Sequence, residues 1–357
     1  MIHYLVSAGS QGHPMAPPVR ALLAGLTAWA VCLVVGRPLL GRLRRLNVRE
    51  KTEKTPIEDE QLRRSIAGKS GTPTMGGLIL LAGMLAGVLA WADPANLLVA
   101  GVLGCTLAMA ALGVVDDTAK LRGRTHTDRG LKVRHKLLIQ GCVGALLGLL
   151  FLRAGGASPR VFSTGGAAMA FALALGWPAL IVATMANATN VTDGLDGLLA
   201  GLAPLAGIVL GGACWAVGTP DVAARLGMGH VSGAGELCVF CGALTGACVG
   251  FLHYNRHPAR VFMGDTGSMA IGGALAATAL AAGQELVLGL AGLVFLIEFG
   301  SSLLQIGSFQ LLGRRLLPIA PMHHIFQQRG VPEPRIVMGF YLAGVAAAVV
   351  GIGSMGL

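Results

Sequence analysis

Ten apolar segments, each able to cross roughly 30 Å of hydrocarbon, divide this 357-residue chain and constrain its fold more than any other feature. Their approximate limits are 19–40, 76–92, 97–115, 137–153, 165–186, 195–217, 235–252, 268–283, 285–312 and 335–356. Only 12% of the residues are charged, about half the soluble-protein average of ~25%. A water-soluble globule of this size could not cover its surface with so few charges. Disorder needs low hydrophobicity and high net charge, the reverse of what is present. The expectation is an all-α, polytopic membrane protein with about ten transmembrane helices.

The 27 Lys and Arg residues are distributed unevenly. The loops after the odd-numbered segments hold 23 of them, while Arg20, Arg153, Arg160 and Arg225 lie on the other side. The positive-inside rule makes the 23-charge side cytoplasmic and turns both termini outward. Residues 1–18 lack the basic start of a cleavable signal and read as an N-terminal extension, followed by a single integral-membrane domain over 19–357. The net charge of +10 reads as orientation and phosphate handling. No basic stretch is interleaved with aromatics, so nucleic acid is not an expected partner. Seven cysteines sit mostly inside apolar runs and read as small packing residues, Cys238 and Cys241 included. No fixed-period repeat supports an inverted-repeat transporter.

The short polar islands all fall on the cytoplasmic side: GTPTMGG at 71–77 after Lys69, DDTAK at 116–120, NATNVTDGLDG at 187–197, Asn255, VFMGDTGS at 261–268, and a paired His323-His324. A carboxylate at membrane depth costs about 2.5–3.5 kcal/mol or more, so such groups are functional or paired. Asp116, Asp117, Asp193, Asp196 and Asp265 would gather near one headgroup plane. Lys120, four residues after Asp116, shares its helix face. Asp265 opens a span from a glycine-flanked turn, which reads either as an anion site at a helix start or as a simple cap by Asp265 or Ser268. Asn187, Asn190, Asp193 and Asp196, spaced three apart, form a polar stripe if helical and line a loop if Gly194 and Gly197 break the helix. His253 and His257 read as interfacial, and Glu298 as a hydrogen-bonding partner between helices. Carboxylates, lysines and a glycine-rich anion turn at one headgroup level suit Mg²⁺-assisted phosphoryl transfer, with a lipid phosphate as nucleophile.

These motifs, with APMHHIFQQRGVPEPR at 320–335, resemble the phospho-N-acetylmuramoyl-pentapeptide transferases (translocase I) of the polyprenyl-phosphate N-acetylhexosamine-1-phosphate transferase superfamily. The match runs from about Lys69 to Phe340. The resemblance implies ten helices, a homodimer, Mg²⁺ dependence and a cleft facing the cytoplasm from a bacterial inner membrane. The implied reaction moves phospho-MurNAc-pentapeptide from UDP-MurNAc-pentapeptide to undecaprenyl phosphate, giving lipid I and UMP within the surrounding membrane lipids. Carried over residue by residue, Asp265 is the Mg²⁺ ligand, and Asp116 and Asp117 position or deprotonate the lipid phosphate. Lys69, Thr74, Asn187, Asp193, Gly194, Leu195, Asp196, Asn255, Phe262 and Gln305 would form the nucleoside and phosphate region, with Asn190 in the same stripe. Phe262 would stack on uracil, His323 and His324 would meet the sugar phosphate, and Lys120 and Lys136 would serve the phosphates, with Lys132 competing.

The chain departs from the family pattern where Ile325 replaces a third histidine and Thr118 an aromatic. The loop from Arg42 to Lys69 is also unusually acidic. A related transferase using UDP-GlcNAc is the alternative reading. A transporter is disfavoured because the polar islands lie on one side instead of at the midplane.

Overall fold

The computed structural model describes residues 15–46, 48, 69, 71–122, 130–154 and 167–355. Most of the N-terminal extension and the acidic residues of the Arg42–Lys69 loop fall outside them. Among the described residues the chain is helical, with no strand. The long helices are α1 (Pro17–Arg45), α2 (Gly77–Trp91), α3 (Leu97–Arg122), α4 (Val133–Ala154), α5 (Ala167–Thr192) and α6 (Leu198–Gly218). After the short α7 (Pro220–Arg225) come α8 (Gly235–Asn255), α9 (Gly264–Ala282), α10 (Glu285–Ala291), α11 (Leu293–Leu312), α12 (Met322–Gln328) and α13 (Glu333–Gly353). Over the described residues each expected span falls mainly in helix, the sixth beginning in the turn at 195–197 and the ninth divided at Gly292 into α10 and α11.

Eight of these helices are long and apolar enough to cross a membrane: α1, α3, α4, α5, α6, α8, α11 and α13. α2, with 15 residues, is apolar but shorter. α9 is not among the eight, and its surroundings explain why. Every residue from Asp265 to Ala282 is buried, and α9 packs against α3, α5, α6, α2 and α10. A helix ringed by protein needs small side chains that admit its neighbours more than it needs hydrophobicity, and 14 of the 19 residues of α9 are Gly, Ala, Ser or Thr. Lipid-facing helices show the opposite: Leu137, Leu138 and Ile139 on α4 are exposed.

The two ends of the bundle carry different polar clusters. At one end the starts of α1 and α8 meet the end of α2, where the buried Arg20 guanidinium pairs with both Glu236 carboxylate oxygens and donates to the Trp91 carbonyl at 3.3 Å. Glu236 also accepts the Asp93 N–H at 2.9 Å. At the other end the last turns of α3, α5 and α8 meet the first turns of α4, α9 and α13, and the aspartate motifs gather there. The first turn of α1 and the last turn of α13 therefore lie away from that cluster. The cysteines are unpaired, and all except Cys142 are buried, in keeping with a packing role.

Candidate active site

The site is built around the start of α9. The segment leading into it is laid against the turn before α2: Phe262 donates its N–H to the Pro73 carbonyl at 2.8 Å, Gly76 to Phe262 at 2.8 Å and Gly77 to Met263 at 2.9 Å. The first turn of α9 leaves backbone N–H groups without helical partners. Asp117 takes them from another helix. Its Oδ1 accepts the Asp265 N–H at 3.0 Å, and its Oδ2 accepts the Thr266 N–H at 3.0 Å and hydroxyl at 2.7 Å. Neither Asp265 nor Ser268 caps α9, as the sequence allowed; the cap comes from α3. The helices meet closely here. A Cβ on Gly113, one turn before Asp117, would stand 2.3 Å from the Asp265 carbonyl oxygen.

With its backbone held by Asp117, Asp265 turns its carboxylate to two lysines. Lys120 Nζ lies 2.7 Å from Oδ1 and Lys136 Nζ 2.8 Å from Oδ2. The same ammonium groups lie 2.9 and 2.8 Å from Asp116 Oδ2, while Asp116 Oδ1 accepts the Leu131 N–H at 2.7 Å. Two carboxylates and two ammonium groups thus alternate in one ring, the carboxylates buried and the lysines half-buried. Lys136 completes it; the exposed Lys132 does not reach it. Adjacent residues on a helix diverge by roughly 100°, which separates Asp116, facing the lysines, from Asp117, bracing α9.

The polar stripe is divided. Asn187 and Asn190 lie on the last turns of α5, where Asn190 Nδ2 donates to Ser268 Oγ at 3.0 Å and Asn187 to Gln140 at 2.7 Å. Half-buried Asp193, exposed Gly194, and buried Leu195 and Asp196 form the turn into α6. Lys69 Nζ bridges Asp196 Oδ1 and Glu333 Oε1, both at 2.7 Å, and lies 6.0 Å from the Phe262 ring centroid. Glu333 also accepts the Asp196 N–H, at 2.6 Å. Asp196 Oδ2 accepts the Ala259 N–H at 3.0 Å and lies 3.2 Å from His257 Nδ1, so His257 joins this cluster instead of remaining merely interfacial. Asn255 is buried, accepting the Gly197 N–H and donating to the Val261 carbonyl, both at 3.0 Å. Thr74 is buried beside Gly264.

His323 and His324 sit on α12, their rings 4.2 Å apart. Wholly buried Glu298 reaches from α11 to His323 Nδ1 at 2.8 Å and to its backbone N–H at 3.1 Å. Glu298 therefore links α11 to α12. The His323 ring lies against Gly194, where a Cβ would approach Nε2 to 2.2 Å. Burial, reinforced by His323, pushes the His324 imidazole down to about 4. Gln305 clamps the backbone of Leu317 with both amide atoms at 3.0 Å. Sequence reasoning missed Thr266, Glu333 and Gln140. An acid in a first helical turn is unremarkable, as is a hydroxyl in a helix start. Gln140, four residues past Lys136 in an apolar span, did leave a legible signal.

Fold and site together define a membrane-embedded glycosyl transferase: the family model of glycosyl transferase family 4 matches residues 99–283, covering all three aspartate-bearing motifs. Residues 69–81 match signature 1 of the phospho-N-acetylmuramoyl-pentapeptide-transferases. The chain is 37% identical over 354 residues to a protein of that name from Methylacidiphilum infernorum, covering 94% of this chain and 93% of the relative. It is 36% identical to the one from Maricaulis maris (93% and 92% covered) and 38% to the one from Gemmatimonas aurantiaca (95% and 93%). The chain belongs to the phospho-N-acetylmuramoyl-pentapeptide-transferase family.

Proposed function

We propose that the chain transfers phospho-MurNAc-pentapeptide from its UDP carrier to undecaprenyl phosphate, giving lipid I and UMP, and that it works as a single integral-membrane domain with its site open to the cytoplasm of a bacterial inner membrane. The observation that carries the reading is the ring of Asp116, Lys120, Asp265 and Lys136 at the lysine- and arginine-rich end of the bundle. The charge count supports an outward position for both termini. A homodimer is part of the same proposal, by family resemblance.

Mg²⁺ fits the donor set. Asp265 and Asp116 present hard carboxylate oxygens, and the two ammonium groups between them mark a place where positive charge is stabilised. Asp265 would hold the ion, which when bound supplies charge neutralisation at the donor diphosphate. Lys120 and Lys136 would balance the phosphate oxygens as charge develops. Because Asp117 is occupied by α9, its role is to position Asp265, and Asp116 is the carboxylate that meets the lipid phosphate. Lys69, Phe262, Asp193 and the Gly194–Asp196 turn would receive the nucleoside, with Thr74 and Asn255 holding the backbone beneath it. His323, oriented by Glu298, and His324, neutral at cytoplasmic pH, would face the sugar phosphate. Gln305 would act by holding the loop around Leu317.

Purified protein in detergent is expected to release UMP from UDP-MurNAc-pentapeptide when undecaprenyl phosphate and Mg²⁺ are both present. Preferential turnover of UDP-GlcNAc would overturn the donor assignment. Undiminished turnover in excess chelator would remove the metal.

Gly113→Ala tests the geometry. The added methyl must push α9 off α3, at a stability cost of about 1–3 kcal/mol. Displacing Asp265 by an ångström is expected to lower kcat about 10²-fold. A kcat within twofold of wild type would mean that the α3–α9 approach does not set the site.

A further inference from the structure

Gln140 is fully buried on α4, although the three residues before it are exposed. It lies four positions beyond Lys136 on the same helical face, about 6 Å further along the axis. Its Oε1 accepts from Asn187 Nδ2 at 2.7 Å, and that nitrogen also donates to the Ala183 carbonyl at 2.8 Å. A backbone carbonyl only accepts, so the Asn187 atom facing it must be nitrogen. The Gln140 atom facing that nitrogen must in turn be oxygen, which fixes the orientation of both amides. What is left is Gln140 Nε2, a buried NH₂ group with no acceptor among the described residues.

An unpaired amide is costly in a membrane-spanning segment, where no bulk water can satisfy it. Native proteins rarely leave such a group, and each one calls for a reason such as a functional role or a bound water or ion. The missing partner here is a hydrogen-bond acceptor. The site's position narrows its source. Asn187 and Gln140 lie deeper along α5 and α4 than Asn190 and Lys136, which reach Ser268 and Asp265 on α9. An acceptor at that depth arrives most directly from the bilayer. A phosphate monoester on a lipid chain brings anionic oxygens to this level while its hydrocarbon stays among the helices.

We propose that Gln140, held by Asn187, is a binding residue for the phosphate of the lipid acceptor, donating through Nε2 to a phosphate oxygen below the Lys136–Asp265 pair. The inference rests on the lipid-phosphate transferase reading above. The donor nucleotide offers similar oxygens, so the two substrates must be varied separately.

The experiment measures UMP release for wild type, Gln140→Met and Gln140→Glu, titrating undecaprenyl phosphate and UDP-MurNAc-pentapeptide in turn, with thermal midpoints in detergent. Methionine keeps the length and removes the donor; glutamate replaces it with an acceptor that repels phosphate. The expected result is a KM for undecaprenyl phosphate raised about tenfold or more in both variants, the usual worth of a hydrogen bond to a charged group, with the nucleotide KM within twofold. If Gln140→Met does not fold, Gln140→Leu and direct binding of labelled undecaprenyl phosphate carry the same comparison. An unchanged lipid KM in folded variants overturns the inference, as does an equal rise for both substrates, and in either case wild-type turnover leaves the transferase reading standing. A wild-type protein that releases no UMP from any donor removes that reading and this inference with it.

Discussion

Asp265→Asn is expected to reduce UMP release by about 10³-fold (~4 kcal/mol) while the protein remains folded. Asparagine preserves the shape of the side chain, and the α9 cap formed by Asp117 engages the backbone of residue 265, so the helix start should persist. What disappears is the charge. Lys120 and Lys136 now each touch two carboxylates; in the variant they would share Asp116 alone. The proposed metal ligand is lost at the same time. The measurement is single-turnover UMP release across a Mg²⁺ titration, beside a thermal melt. Turnover within tenfold of wild type, at unchanged Mg²⁺ dependence, would remove Asp265 from the chemistry. Asp117→Asn should also impair turnover, but by a different route. It weakens the cap on α9, so its loss should appear together with a lower thermal midpoint.

Arg20→Leu is expected to destabilise the protein by about 3–5 kcal/mol, because it leaves Glu236 charged and poorly paired at the opposite end of the bundle. Arg20 holds both carboxylate oxygens and the end of α2, tying three helices together. Adding Glu236→Leu should recover much of the loss, since the double variant leaves no orphaned charge. Thermal unfolding of the three proteins in one detergent checks this. A midpoint for Arg20→Leu equal to wild type would show that the pair does not hold α1 to α2 and α8. Neither residue is near the aspartates, so the folded fraction should keep its turnover per molecule.

Much of the site was legible because its residues come as short, dense islands in an otherwise apolar chain. Asp116 and Lys120 were expected to pair from their spacing alone, and they do, at 2.9 Å. Local spacing could not say which partner Asp117 has, because its hydrogen bonds go to residues 148 and 149 positions away. It could not choose between Lys132 and Lys136 either; that depends on how α4 is rotated about its axis. Glu333 looked like an ordinary acid at a helix start until Lys69 and the Asp196 backbone were placed against it. Spacing left Asn187 and Asp196 either on one helical stripe or, if Gly194 and Gly197 broke the helix, lining a loop. The helix ends at Thr192, and Gly197 with φ 81° completes the turn, so the two serve different neighbours.

The sequence by itself determined the all-helical membrane architecture, the location of the spans and the kinship with one transferase family. Apolar length, charge asymmetry and contiguous motifs are one-dimensional properties, and the bilayer acts on them segment by segment. Only the tertiary structure decided the different partners of Asp116 and Asp117, the contacts that bring Glu333 and His257 to Asp196 and Glu298 to His323, and the unpartnered Gln140 donor. Those depend on which helix faces meet and how closely, quantities set by packing among many small side chains that no single segment encodes.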